Sequence, residues 1–134
     1  MAKILIVEDN ALNVKLFCDL LAAHGHEPRP VTDGRFALDQ ALEFRPDLVI
    51  TDIQLPHVTG LDLIRMIRDD RRLKDVPIMA VTAYAAAADE ERIRAAGAQA
   101  YVSKPISVAK FVAQVNELLG TQDQDARAPA PETT

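Results

Sequence analysis

The stretch Leu48-Val49-Ile50-Thr51-Asp52-Ile53-Gln54-Leu55-Pro56 decides how the rest of the chain is read. It opens as a continuously apolar strand, ends that strand in a lone carboxylate, Asp52, and turns at Pro56. Continuous rather than alternating apolarity marks a strand buried on both sheet faces, which belongs to a parallel sheet covered by helices.

Working outward, Lys3 to Val7 is a second such strand, followed by Glu8 and Asp9. Asn10 then caps a helix in which Leu12, Leu16, Phe17, Leu20 and Leu21 recur at helical spacing until Gly25. Residues 27–31, Glu-Pro-Arg-Pro-Val, carry two prolines two apart, so the missing N–H groups fall on one side. A sheet edge with that side toward solvent tolerates both. Asp33 caps a helix bearing Ala37, Leu38, Ala41 and Leu42, which ends before Pro46.

Downstream of Pro56, Thr59 and Asp62 have capping-box spacing, ahead of a helix with Leu61, Ile64 and Ile67 on its apolar face. Residues 77–82 form the fourth strand, and residues 85–96 an alanine-rich helix stopped by Gly97. Residues 99–102 form the fifth strand. Ser107 caps a last helix, in which Val108, Phe111, Val112, Val115, Leu118 and Leu119 point inward and which Gly120 ends. Strict strand-helix alternation predicts an α/β fold, a doubly wound five-stranded parallel sheet with right-handed crossovers. The two prolines favour the flavodoxin-like order 2-1-3-4-5, which puts strand two at an edge.

The 134 residues, 49% hydrophobic and 26% charged, make one domain over residues 1–120. Residues 121–134 lack large apolar side chains and are expected to be a disordered tail. No apolar run approaches the roughly 20 residues of a membrane helix, so a soluble, cytoplasmic protein is expected. The net charge of −5, without clustered Lys and Arg, argues against nucleic acid as a partner. A single cysteine, Cys18, excludes an internal disulfide framework, and His24, His26 and His57 are isolated from other candidate ligands. No glycine-rich nucleotide loop is present, so a phosphoryl group has to come from another molecule.

In such a sheet, ligands bind at the carboxyl ends of strands where the winding direction switches, between strands one and three. Glu8 and Asp9 end strand one, Asp52 strand three and Thr82 strand four, and Lys104 follows strand five. Crowded carboxylates need protons or a cation, and oxygen ligands suit Mg²⁺ or Mn²⁺ rather than zinc. With a cation and the Lys104 ammonium neutralising the transferring oxygens, Asp52 can attack phosphorus while Thr82 donates a hydrogen bond.

Val7-Glu8-Asp9-Asn10, Asp52-Ile53-Gln54-Leu55-Pro56 with Gly60, Val81-Thr82-Ala83 and Lys104-Pro105 together resemble a response-regulator receiver domain of bacterial two-component signalling, over roughly residues 3 to 119. The resemblance implies that Glu8 and Asp9 position Mg²⁺, and that Asp52 is phosphorylated and also a metal ligand. It implies that Gln54 lends its backbone carbonyl to the metal and that Thr82 and Lys104 sense the phosphoryl group. It further implies a cis peptide at Lys104-Pro105, a switch aromatic at Tyr101, and tuning of phosphoryl lifetime by Gln54 and Tyr84. The implied donor is a histidine kinase or histidine phosphotransfer protein. The implied target binds the face made by the fourth helix, fifth strand and fifth helix. Glu8-Asp9-Asn10-x-Leu12-Asn13-x-Lys15-Leu16-Phe17 and Lys104-Pro105-Ile106-Ser107-Val108 resemble a single-domain regulator of cell cycle and cell fate within that family.

Three rival functions differ in what they require. A Mg²⁺-dependent phosphatase with an aspartate nucleophile needs a second acid where Gln54 stands. A flavin carrier of the same topology needs a Ser/Thr/Gly phosphate loop where Glu8-Asp9 would repel it. A receiver acting as an unphosphorylated interaction module would leave Asp52→Asn silent.

Overall fold

The computed structural model describes the backbone of residues 2–83 and 87–126, and the side chains of these except 87, 88 and 121–126. Five strands, β1 Lys3–Val7, β2 Glu27–Val31, β3 Leu48–Asp52, β4 Ile78–Thr82 and β5 Ala100–Ser103, alternate with helices α1 Ala11–Ala23, α2 Ala37–Phe44, α3 Gly60–Asp69, α4 Ala87–Ala96 and α5 Val108–Ala126. All strand pairs are parallel, in the order β2-β1-β3-β4-β5. The strand that carries two prolines is therefore an edge strand, as their spacing predicts.

Helices cover both faces. On one, α1 and α5 pack Phe17, Leu21, Phe111 and Val115 onto Ile4, Ile6, Ile50 and Val81. The Phe17 and Phe111 rings stack with centroids 5.0 Å apart, fixing α1 beside α5. On the other face, α2, α3 and α4 pack Ala41, Leu63, Ile67 and Ile93 onto Leu5, Val7, Val49 and Ala80. Each fully buried Leu, Ile or Phe contributes about 1.5–3 kcal/mol, so the alternating faces of three central strands supply most of the driving force.

The capping signals act as the residue types require. The Asn10 side chain accepts from the Asn13 N–H, and Thr59 from the Asp62 N–H. Asp33 caps a single 3-10 turn, Gly34–Phe36, that precedes α2, rather than α2 itself. Boundaries differ at the fourth and fifth strands and at the last helix: β4 begins at Ile78 rather than residue 77, and β5 ends at Ser103 rather than residue 102. β5 begins one residue later than expected, because the Gln99 side chain turns back to accept from the Ile78 N–H. α5 passes through Gly120 and continues to Ala126, so the predicted stop at Gly120 and tail from residue 121 are corrected. A glycine costs a helix only about 1 kcal/mol against alanine, and Gly120 does not take the left-handed conformation that would end the turn. Residues 127–134, the rest of the expected tail, lie outside the described residues, as do Ala85 and Ala86 at the predicted start of the fourth helix.

Arg68, at the end of α3, ties together the amino ends of β4 and β5. Its guanidinium donates to the carbonyls of Gly97, Lys74 and Val76 and to Gln99 Oε1, at 2.7–2.9 Å. No helix among the described residues is long and apolar enough to cross a membrane.

Candidate functional site

At the opposite end of the sheet, three strands deliver their last residues to one rim. Val7 lies beside Thr51, and Asp52 beside Val81, so Glu8, Asp52 and Thr82 leave neighbouring strands at one level. Glu8, Asp52 and Thr82 are buried, and Asp9 is exposed. One carboxylate oxygen each from Glu8, Asp9 and Asp52 lies within 4.8 Å of the others.

Gly60 makes the tight turn after β3 possible. A Cβ there would overlap the Asp52 carbonyl oxygen and lie 2.6 Å from Ile53 Cα. The Gly60 N–H instead donates to the Ile53 carbonyl at 2.9 Å, which draws α3 against the strand end. The turn also aims the Gln54 N–H at Asp52 Oδ1, 3.0 Å away.

The Lys104 ammonium crosses from β5 to donate to Asp52 Oδ2 at 2.9 Å and lies 3.5 Å from Glu8 Oε1. It reaches there because the Lys104 N–H donates to the Thr82 carbonyl at 2.7 Å, pinning the loop to the end of β4. The Lys104-Pro105 peptide is cis.

The electrostatics of this rim are unbalanced. Burial pushes the Glu8 carboxyl up to about 7, with repulsion from Asp52 adding to it and the Asn10 N–H and Lys104 opposing it. Burial alone would lower the Lys104 pKa, but the hydrogen bond and attraction of Asp52, then Glu8, hold it above the usual lysine value. Glu8 Oε1 is buried with no hydrogen-bond partner, whereas Oε2 accepts from the Asn10 N–H at 3.2 Å. An orphaned carboxylate oxygen facing two more carboxylates, in a cluster without sulfur or imidazole, fits a hard divalent cation such as Mg²⁺ or Mn²⁺.

The structure thus brings together Glu8, Asp9, Asp52, Lys104 and the Gln54 backbone, and sets Thr82 at the adjoining strand end. Tyr101 sits apart from them. It pairs with Ala80 along β5, and its hydroxyl donates to Glu90 Oε1 of α4 at 3.1 Å. Tyr84 lies outside the described residues. Sequence reasoning missed Glu90 and Arg68, whose partners are 11 and up to 31 positions away. No local pattern marks either residue.

A buried aspartate at the switch point of this sheet, flanked by two acids and answered by a lysine, is the arrangement expected of a receiver domain. The chain belongs to the response regulator receiver domain family, which residues 4–116 match. Within it, the chain is 51% identical over 117 residues to the polar-differentiation response regulator DivK of Brucella anthropi, covering 87% of this chain and 95% of that protein. The DivK of Brucella ovis is 50% identical with the same coverage. The chain is therefore a receiver of two-component signalling closely related to DivK.

Solved structures agree. A receiver domain of a Pseudomonas aeruginosa sensor histidine kinase, with a magnesium ion coordinated in its active site cleft, is 33% identical with a TM-score of 0.82, covering 89% of this chain and 98% of that one. The Vibrio cholerae chemotaxis protein CheY4 is 27% identical with a TM-score of 0.84, covering 88% and 98%.

Proposed function

We propose that Asp52 accepts a phosphoryl group from a phosphohistidine of a histidine kinase or histidine phosphotransfer protein. An Asp52 carboxylate oxygen attacks phosphorus, the phosphorus–nitrogen bond breaks, and the imidazole leaves with its electron pair and takes up a proton. The observation that carries this reading is the buried Asp52 carboxylate, held by the Lys104 ammonium on one oxygen and the Gln54 N–H on the other.

Each side chain then has a task. Glu8, Asp9, Asp52 and the Gln54 carbonyl would hold Mg²⁺ or Mn²⁺. That ion, when bound, supplies positive charge to the transferring phosphoryl oxygens. Lys104 pairs with the same oxygens from the other side, and the Thr82 hydroxyl donates to one of them. The bulk of Tyr84, and an amide rather than an acid at Gln54, keep self-dephosphorylation slow. The absence of that acid also sets this site apart from an aspartate-nucleophile phosphatase.

The donor docks on α1, whose Leu12 is 80% exposed beside the rim. The output passes through the face of α4, β5 and α5, where a cavity of about 540 Å³ is lined by Arg94, Tyr101, Ser103, Pro105 and Lys110. Phosphorylation shifts the population toward a form of this face that a protein target prefers. By its kinship with a polar-differentiation regulator, the protein acts in cytoplasmic control of cell fate or cell cycle.

Incubation with acetyl phosphate and Mg²⁺ followed by peptide mapping tests the assignment. The added mass is expected on Asp52. Modification elsewhere, or none with any donor, would refute it.

A further inference from the structure

Helix α4 is held to the fold unevenly. Among its described side chains only Ile93 and Ala96 are buried, both in its second half. Its carboxyl end is fixed twice over. Arg68 grips the Gly97 carbonyl and the Gln99 side chain, and Arg94 donates to the Gln99 carbonyl at 2.9 Å.

Toward the middle of the helix, Glu90 joins it to β5. The two Glu90 oxygens are divided: Oε1 accepts from the Tyr101 hydroxyl at 3.1 Å and Oε2 from Arg94 Nε at 3.0 Å. The Arg94 guanidinium also lies 5.8 Å from the centre of the Tyr101 ring. Glu90 raises the Tyr101 pKa by hydrogen bonding, so the phenol stays protonated and remains a donor.

We propose that Glu90 is a positioning residue that latches α4 to β5 through the Tyr101 hydroxyl and so holds the α4, β5 and α5 face in its resting form. The proposal rests on the reading that Thr82 responds to a phosphoryl group on Asp52. Thr82 ends β4 and Ala87 begins α4, so any movement of Thr82 toward Asp52 pulls on the amino end of that helix. The carboxyl end is anchored by Arg68 and Gln99. The displacement therefore falls on the span between them, where Glu90 meets Tyr101. Release of that hydrogen bond frees Tyr101 and alters the cavity it shares with Arg94, Ser103 and Lys110. In the resting protein the bond stabilises the unphosphorylated form, and a phosphoryl group has to overcome it.

Fluorotyrosine labelling of the full chain tests this by ¹⁹F NMR, with the Tyr101 resonance assigned from its loss in Tyr101→Phe. Each protein is titrated with beryllium fluoride at fixed Mg²⁺. Glu90→Ala should raise the apparent beryllofluoride affinity roughly three- to tenfold, the range for losing one modest hydrogen bond from the competing state. It should also move the ligand-free Tyr101 resonance toward its bound position. Glu90→Gln, whose amide oxygen still accepts from the phenol, should stay within roughly twofold of the parent. Parent-like affinity and resonance in Glu90→Ala, with a normal response in the parent, would overturn the latch alone. A parent Tyr101 resonance that ignores beryllofluoride would overturn the latch together with the switch reading beneath it.

Discussion

The two ends of the sheet each hold charge away from water, half-buried at Arg68 and buried at Glu8 and Asp52, and they treat it in opposite ways. At the amino ends of β4 and β5, the Arg68 guanidinium meets four acceptors, three of them main-chain carbonyls. At the carboxyl ends of β1 and β3, Glu8 and Asp52 share one ammonium, and Glu8 Oε1 has no hydrogen-bond partner. A buried charge with its hydrogen bonds complete holds chain segments together. One left incomplete stores unfavourable energy that a ligand of opposite charge can release. The first end is scaffold, and the second is a site.

Substitutions at the two ends should therefore separate stability from chemistry. The largest effect is expected from Asp52→Asn, which should abolish phosphorylation by acetyl phosphate, read by intact mass, while leaving the urea midpoint equal to or above that of the parent. Relief of the repulsion between Glu8 and Asp52 gives the direction of the stability change.

Arg68→Ala should do the reverse. Leaving three carbonyls without their Arg68 donor should lower the unfolding free energy by about 3 kcal/mol in urea titration. The fraction of Asp52 phosphorylated under conditions that keep the protein folded should change little. If Arg68→Ala abolished phosphorylation in folded protein, the division between scaffold and site would be wrong.

Gly60→Ala sits on the boundary of that division, since the new methyl group overlaps the Asp52 carbonyl. It should cost about 2–3 kcal/mol of stability, and slow phosphorylation as well, because the turn that aims the Gln54 N–H at Asp52 has to shift. Calorimetry and a phosphorylation time course on one preparation would check both.

The smallest expected effect is a pH dependence. Folded Glu8 holds its proton to about pH 7, against 4.5 ordinarily, so across that window the folded state binds more protons than the unfolded chain. Its contribution to stability is thus complete below pH 4.5 and is lost as pH rises to about 7. Without divalent cation, Glu8→Gln should gain at least about 1 kcal/mol relative to the parent between those limits, by thermal unfolding. Saturating Mg²⁺ should shrink the difference at the upper limit, since the cation favours the ionised form.

Legibility in the sequence followed the range of the interactions. The apolar runs at Ile4 to Val7 and Leu48 to Ile50, the caps at Asn10 and Thr59, and the paired prolines of the edge strand are local signals, and the sheet order follows from them. The acids and the lysine were legible because each directly follows a recognisable strand. Gly120 misled because a glycine breaks a helix only when its backbone turns left-handed, which composition does not reveal. Asp33 misled by one turn, since a cap signal does not distinguish a 3-10 turn from an α-helix.

The sequence by itself determined the strand and helix alternation and the acidic rim, because period, capping and strand ends are written within a few residues. The tertiary structure alone decided that Glu8 keeps an oxygen without a hydrogen bond, that Arg68 closes the far end of the sheet, and that Glu90 holds Tyr101. Those facts depend on distances between segments tens of residues apart, and packing sets such distances, with no trace in the local pattern of the chain.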